Sequence, residues 1–407
     1  MLRGIPSPEA EGMGAISSTL VTENALSTSY NPGYLGVYSQ THFFNAATYT
    51  STIPVSRPGY TTEPSYNASA ANVGFNLDRL QDASLPLSIG LGFSTNSVKG
   101  GVFSIPNMSP LPPDEFVEIE RSNMYSIGIA VNYFVQLGIG VTYKDIRSRV
   151  TNISSTYPNG RDFESNGTAF DFGVFLKAPL LGLLSPPMEE GGLAMASTKP
   201  FLDITTSYNL QNVGPGMIQT DATVPDPFPR NATMGLGVKL GMTSHSRIQD
   251  WELVSLTAAR EANDLLVSWH NQDTTWSADG QYYTIDPSYP VYDGIGGSIQ
   301  VANNLLLGKN NGKVEIRSGL QLNLGEILFL RLGSIEHGVE TMSTSGFGIH
   351  LAGVWQLLGR ADPDLLDGGI LGFLGYHFDL QFDYADVRSH EVADRDLTFK
   401  SLNIIVR

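Results

Sequence analysis

Between Phe134 and Lys144 the chain reads Phe-Val-Gln-Leu-Gly-Ile-Gly-Val-Thr-Tyr-Lys. On a strand, Val135, Leu137, Ile139, Val141 and Tyr143 point one way, and Gln136, Gly138, Gly140, Thr142 and Lys144 point the other. The apolar row is large and unbroken, while the other row is small, polar or charged. A soluble strand would bury the large row under a second layer. The same pattern recurs along the chain, and few amphipathic helices are present to supply that layer. Apolar residues facing lipid and polar residues facing a lumen satisfy the pattern instead. Closure into a barrel then gives every backbone amide a partner.

The pattern predicts an all-β fold, a closed antiparallel transmembrane β-barrel of about 14 strands. The expected strands are 40–53, 67–77, 85–95, 121–132, 134–149, 167–178, 199–211, 230–243, 247–260, 312–323, 326–337, 344–357, 372–387 and 396–407. Tight connections at Asn132-Tyr133, Ser244–Ser246 and Leu324-Gly325 fall on one side, as periplasmic turns do. Long connections at 96–120, 150–166, 212–229 and 261–311 fall on the other, as outer loops do. Segments 179–198 and 358–371 are long yet lie on the periplasmic side. Their Leu-rich pieces, Leu180–Leu184 and Leu365–Leu374, are expected to form short helices. Residues 1–38 do not alternate and form an expected N-terminal plug or periplasmic segment, leaving 39–407 for the barrel.

Composition agrees with this reading. Mean hydropathy is −0.06, and no run of 18 apolar residues occurs, which excludes a helical membrane span but not a barrel. The 43 Gly suit small lumen positions, and the 17 Tyr and 19 Phe suit interfacial girdles. A net charge of −16 with no basic stripe argues against nucleic acid as a partner. The acidity gathers in connections such as Asp221–Asp226 and Asp362–Asp367, as expected of solvated loops. With no Cys there is no disulfide and no thiolate chemistry. Met1-Leu2-Arg3-Gly4 has no apolar signal core, so the reading expects a mature chain whose leader has been removed before it reaches the bacterial outer membrane.

No enzyme is expected. His42, His245, His270, His337, His350, His377 and His390 are scattered, without metal-ligand spacing, so neither a metal nor a cofactor is implied. There is no nucleophile elbow and no phosphate loop. Charges do fall on inward rows, among them Asp171, Asp203, Arg317, Arg331, Asp379 and Asp383. They either pair across the lumen and hold the plug, or line a polar permeation path. Phe175, Phe201 and Phe329 interrupt inward rows and are the candidates for an apolar pocket. The longest loop carries Trp269, Trp276, Tyr282, Tyr283, Tyr289 and Tyr292. These aromatics either anchor a partner or pack the loop onto its neighbours. In the plug, Asn31-Pro32-Gly33 is a turn signal: Pro fixes φ and Asn can bond its own backbone.

Pro6-Ser7-Pro8-Glu9-Ala10-Glu11-Gly12-Met13-Gly14 resembles the Pro-Asp-Ala-Arg-Gly-Gly-Gly-Met-Gly start of PorV-like proteins. Tyr30-Asn31-Pro32-Gly33-Tyr34-Leu35 is similar to their Asn-Pro-Ala element, which also occurs across the wider FadL-like family. Gly375–Ala385 resembles the family's penultimate strand, and Leu256–Val267 its strand before a long loop. The resemblance implies a 14-stranded outer-membrane barrel with its N-terminal segment in or against the lumen. For PorV-like members it implies a type IX secretion-associated platform, with secretion machinery or secreted proteins as partners. For FadL-like members it implies a channel for hydrophobic small molecules.

Overall fold

The computed structural model describes residues 7–20, 22–52, 65–79, 86–100, 102–105, 114–152, 162–184, 198–219, 228–245, 250–266, 270–271, 283–284, 314–337, 340–362, 369–389 and 397–407. Fourteen antiparallel strands form the wall: β1 Phe44–Thr52, β2 Ser65–Asn76, β3 Leu87–Lys99, β4 Asp114–Asn132, β5 Gln136–Asn152, β6 Asp162–Pro179 and β7 Thr198–Val213. They continue as β8 Asn231–His245, β9 Asp250–Leu265, β10 Val314–Leu324, β11 Leu328–His337, β12 Glu340–His350, β13 Phe378–Ser389 and β14 Leu397–Val406. Each pairs with the next, and β1 pairs with β14, from Phe44↔Val406 to Thr50↔Lys400, which closes the barrel. None of the fourteen wall strands is left with an unpaired edge, as a lipid environment requires.

The alternation is realised in space. On β5, Leu137, Ile139 and Tyr143 are exposed on the outside while Thr142 and Lys144 are buried inside. Phe93, Tyr125, Tyr143 and Phe170 share one outward row across β3–β6, with ring centroids 5.3, 6.3 and 5.5 Å apart. At the opposite end of β4, Tyr133 and Phe134 stand out from the turn. The roughly eight residues from Tyr125 to Tyr133, rising about 3.4 Å each on strands tilted about 40°, span roughly 20 Å, near the apolar height of such barrels. Above the aromatic row the outward positions of β4–β6 change to Arg121, Asp145, Arg147, Arg149 and Glu164, so these strands run on beyond the apolar band.

The tight turns expected near Asn132-Tyr133 and Leu324-Gly325 are present; of the one expected at Ser244–Ser246, Ser244 and His245 belong to β8 and Ser246 lies outside the described residues. Leu324-Gly325-Glu326-Ile327 closes with Ile327 N–H donating to Leu324 O at 3.2 Å, and both central residues have positive φ, 66° and 53°. Positive φ at both central residues is what a type I′ turn, whose twist matches a hairpin, requires. On the same side, helix α3 spans Leu180–Leu184, as expected. The stretches read as the end of strand 344–357 and the start of strand 372–387 are instead helical. Among the described residues, α4 spans Ala352–Ala361 and α5 spans Gly369–His377. Asp379 Oδ1 accepts from Ala352 N at 2.7 Å and starts α4. The Gly369–His377 run is apolar at nearly every position, so period alone does not separate helix from strand there. The connection between β11 and β12 is also shorter than expected, since β12 begins at Glu340.

The N-terminal segment lies inside. Residues 7–40 are buried at almost every described position. They form α1 Pro8–Glu11, a 3-10 turn at Ala25–Ser29 and α2 Gly33–Tyr38. A segment rich in Gly, Ala, Ser and Thr is slim enough to occupy a lumen, and its many backbone polar groups need partners there. The inward rows of the wall supply them.

Candidate functional site

Five inward glycines on five adjacent strands stand in register: Gly74↔Gly90↔Gly128↔Gly140↔Gly173. Helix α2 crosses the wall along this belt. A methyl on Gly140 would overlap the Pro32 carbonyl, one on Gly128 would lie 2.7 Å from Gly36 N, and one on Gly173 would overlap Asn31 Oδ1. Across the lumen, Gly319↔Gly333 makes a similar floor for Met13-Gly14. The glycines therefore let the plug approach the bare wall. Asn31 Oδ1 accepts from Gly33 N at 3.0 Å, and α2 starts from the turn so made. Asn31 Nδ2 donates to Val174 O at 3.1 Å and ties that turn to β6.

The inward charges sort into pairs. Arg331 Nη1 lies 2.6 Å from Asp383 Oδ1, and its Nη2 lies 3.5 Å from Glu9 in α1. Arg317 Nε meets Glu315 at 2.6 Å, and Arg317 Nη1 donates to Ala15 O at 3.0 Å. Lys177 pairs with Asp203, and Lys144 with Asp171, each at 2.8 Å. Asp379 accepts from Ala352 N and from Gln381 Nε2. The six charges singled out by sequence are thus spread around the wall; Arg317 and Arg331 reach the plug directly, Asp383 through Arg331. A further plug anchor was not among them. The fully buried Glu261 carboxylate accepts from Ser17 N at 3.2 Å, from Ser18 N and Thr19 N at 2.8 Å, and from Ser18 Oγ at 3.0 Å. Glu23 of the plug in turn meets Arg407 at 3.5 Å and Gln381 Nε2 at 2.9 Å. A cavity of about 130 Å³ beside these groups is polar, lined by Glu9, Glu23, Lys239, Glu252, His350 and Arg407 among others.

The expected inner apolar pocket does not form around the three Phe. Phe175 packs edge-on against Tyr34 of α2, with centroids 5.5 Å apart. Phe201 lies under Lys239 Nζ at 5.8 Å, and Phe329 packs on His350 at 4.1 Å. Each shields part of the plug or of an ion pair. Of the six loop aromatics, Trp269, Trp276, Tyr282, Tyr289 and Tyr292 lie outside the described residues. Of Tyr283, only the backbone is described, in the pairing of His270–Asn271 with Tyr283–Thr284.

An apolar concavity instead lies on the outer wall. It has a volume of about 490 Å³ and is lined by Ile129, Ile139, Val141, Phe172, Tyr208 and Leu210, with the belt glycines Gly140 and Gly173 at its floor. On one side stand the bare strands β4–β6. On the other, Tyr208 and Leu210 pack against Ala232, Ala262, Leu266, Val314 and Ile316, which are buried. At its edge the β6–β7 ladder slips by one residue between Phe170 and Phe172. Asn212, at φ 59°, is part of this bulge. Asp171 Oδ1 accepts its N–H at 2.8 Å, and Lys144 donates to its Oδ1 at 2.8 Å. The buried Lys144–Asp171–Asn212 set thus satisfies backbone that the bulge takes out of the ladder.

No protein-family model matches the sequence, and no curated protein sequence matches it. Among solved structures, the chain is similar to the toluene transporter TbuX of Ralstonia pickettii at 10% identity, with a TM-score of 0.44, over 100% of this chain and 97% of that one. It is similar to the CymD monoaromatic hydrocarbon channel at 10% identity and a TM-score of 0.45, over 98% and 96%. It is also similar to a FadL homologue of Pseudomonas aeruginosa at 10% identity and a TM-score of 0.42, over 100% and 99%.

Proposed function

We infer that this protein is a FadL-like channel of the bacterial outer membrane that takes up hydrophobic small molecules. The wall concavity between β4 and β7 carries the reading. It is apolar, large enough for a one-ring hydrocarbon or a short acyl chain, and it adjoins a local break in the strand ladder. The lumen is filled by the plug and lined with ion pairs, so an apolar solute would gain little by entering it. A route along the outer wall, past the bulge to the concavity in the lipid-facing band, keeps such a solute against apolar side chains. No residue here is assigned a catalytic role. The test is equilibrium binding of toluene or a fluorescent aromatic hydrocarbon to the purified barrel, with uptake into vesicles measured in parallel. Leu210→Trp, which fills the concavity, should weaken binding about tenfold while the barrel keeps its heat-modifiable migration on gels. Unchanged binding in that variant would refute the wall site.

A second reading is supported by the height of β4–β6, whose charged outer ends run beyond the apolar band. A rim of this kind offers a surface to proteins, as a PorV-like platform for type IX secretion would. Deleting 270–308 should then leave the barrel folded and abolish co-purification of secreted proteins or secretion machinery. Full retention of those partners would remove the platform from consideration.

A further inference from the structure

Helices α4 and α5 on the periplasmic rim have their polarity reversed. On α4 the polar Gln356 and the small Ala352 and Gly353 are buried, while Leu357 and Leu358 are exposed. On α5 the small Gly372 is buried, while Ile370, Leu371, Phe373 and Tyr376 stand out at 79%, 44%, 54% and 37% exposure. A helix bathed in water presents the opposite pattern. Six large apolar side chains on two short helices would form an unusually apolar patch for an aqueous surface.

The patch is held against the wall. Asp379 and Leu380 of β13 accept from Ala352 N and Leu351 N at 2.7 and 3.0 Å, and Gly353 N donates to Glu326 O at 3.3 Å. Helix α5 runs without a gap into β13, whose outward row continues with Leu380 and Phe382. The apolar side chains of the rim are therefore continuous with the lipid-facing band of the barrel.

We propose that α4 and α5 form an interfacial anchor that inserts into the acyl region of the phospholipid leaflet on the periplasmic side. Ile370 and Phe373 enter deepest, since they are the most exposed. The anchor widens the apolar belt of the barrel locally, beside β12–β14, and does not depend on what the barrel transports. Amphipathic helices that lie in an interface bury their apolar face at the headgroup–acyl boundary in this way.

The chain has no Cys, so a single introduced thiol is a unique attachment point. Ile370→Cys and Phe373→Cys would each carry a nitroxide label, in barrels reconstituted in phosphatidylethanolamine–phosphatidylglycerol vesicles. Ile139→Cys on the lipid-facing wall and Asp362→Cys at the end of α4 are the references. Both rim side chains project outward; Phe373→Cys gives up a ring contact with His377, centroids 5.4 Å apart, Ile370→Cys is the more conservative variant, and heat-modifiable migration confirms folding. The labels at 370 and 373 should be relaxed several-fold more by oxygen than by a water-soluble nickel chelate, as at 139 and opposite to 362. Stronger relaxation by the nickel chelate would place the helices in water and overturn the proposal. Exclusion of both reagents would mean that a second copy of the chain covers the patch, and would overturn it equally.

Discussion

Glu261 holds three successive plug amides and one hydroxyl with a single buried carboxylate. Hydrogen bonds to a charged group are worth about 1.5–3 kcal/mol each, and a shared acceptor does not multiply that value freely. Glu261→Ala should therefore cost plug attachment on the order of 3 kcal/mol. Amide exchange at Ser17–Thr19 would then quicken by roughly a hundredfold, which mass spectrometry would read directly. The anchor was not legible in the sequence because its partners are backbone amides of a distant segment. Nothing in Ala-Arg-Glu-Ala-Asn marks which of its charges meets the plug. Arg331 and Asp383 fall on the inward rows of their strands, between large apolar outward neighbours, and a buried charge there must find a counter-charge. Glu326 makes a different kind of prediction. In its turn, burial outweighs the pull of Arg407 and pushes the carboxyl up to about 7 from 4.5. The folded state then binds that proton more tightly than the unfolded chain does. Its contribution to stability is full below about 4.5 and is lost as pH rises through about 7. Glu326→Gln should flatten the loss of stability between these limits by about 1–3 kcal/mol, measured by denaturant unfolding in detergent at several pH values.

At the scale of strands and helices, the wall was legible because lipid enforces alternation on every strand. Leu137, Ile139, Leu236 and Phe382 are exposed on the outside, while Gly235 and Gly237 are buried within. The contrast can be tested on neighbouring positions of β8. Val238→Arg puts a charge toward lipid and should cost about 2–4 kcal/mol if it lies near the midplane. Gly237→Arg faces Thr205 and Thr19 and should act by crowding the lumen. Unfolding free energies in phospholipid vesicles would separate the two, since only the first should vary with bilayer thickness. The glycine belt was half legible. Its members read as small lumen residues, but their shared level depends on register across five strands, which a single sequence does not display. The belt predicts that Gly140→Val drives α2 off the wall while the ladder stays intact. Protease should then cut within residues 30–40 of the variant and not of the parent, with gel migration of the folded barrel unchanged. The concavity was illegible for a similar reason. It depends on a one-residue slip between β6 and β7, and on a buried Lys144–Asp171–Asn212 set whose members come from three strands.

For the molecule as a whole, the proposed channel function turns on whether a solute would pass through the lumen or along the wall. Fourteen strands at about 4.8 Å spacing and about 40° tilt enclose a backbone cylinder of roughly 28 Å diameter. Such a lumen would conduct water and small solutes freely if it were empty. Here residues 7–40 occupy it, and the charges that face it are engaged with one another or with the plug. Removing residues 1–38 should leave the barrel foldable, because the 14-strand ladder closes without them. Glu261, Arg331 and Asp383 would then meet water, which hydrates them at little cost. Planar-bilayer conductance should rise at least about tenfold, in keeping with a water-filled pore of that width. Uptake of a hydrophobic solute gives the decisive contrast. If the solute travels by the wall concavity, the truncated barrel should still load it, and Leu210→Trp should still block loading in the truncated background. If uptake by the truncated barrel becomes insensitive to Leu210→Trp while conductance rises, the solute is using the opened lumen. If truncation raises conductance and abolishes uptake altogether, the plug itself forms part of the route. The contact of Asn31 and Pro32 with the back of Gly140 and Gly173, one backbone layer from the concavity, makes that last outcome structurally specific. Gly140→Val in the full-length chain should then reproduce the loss of uptake without the gain in conductance seen on truncation, provided that the displaced helix still fills the lumen.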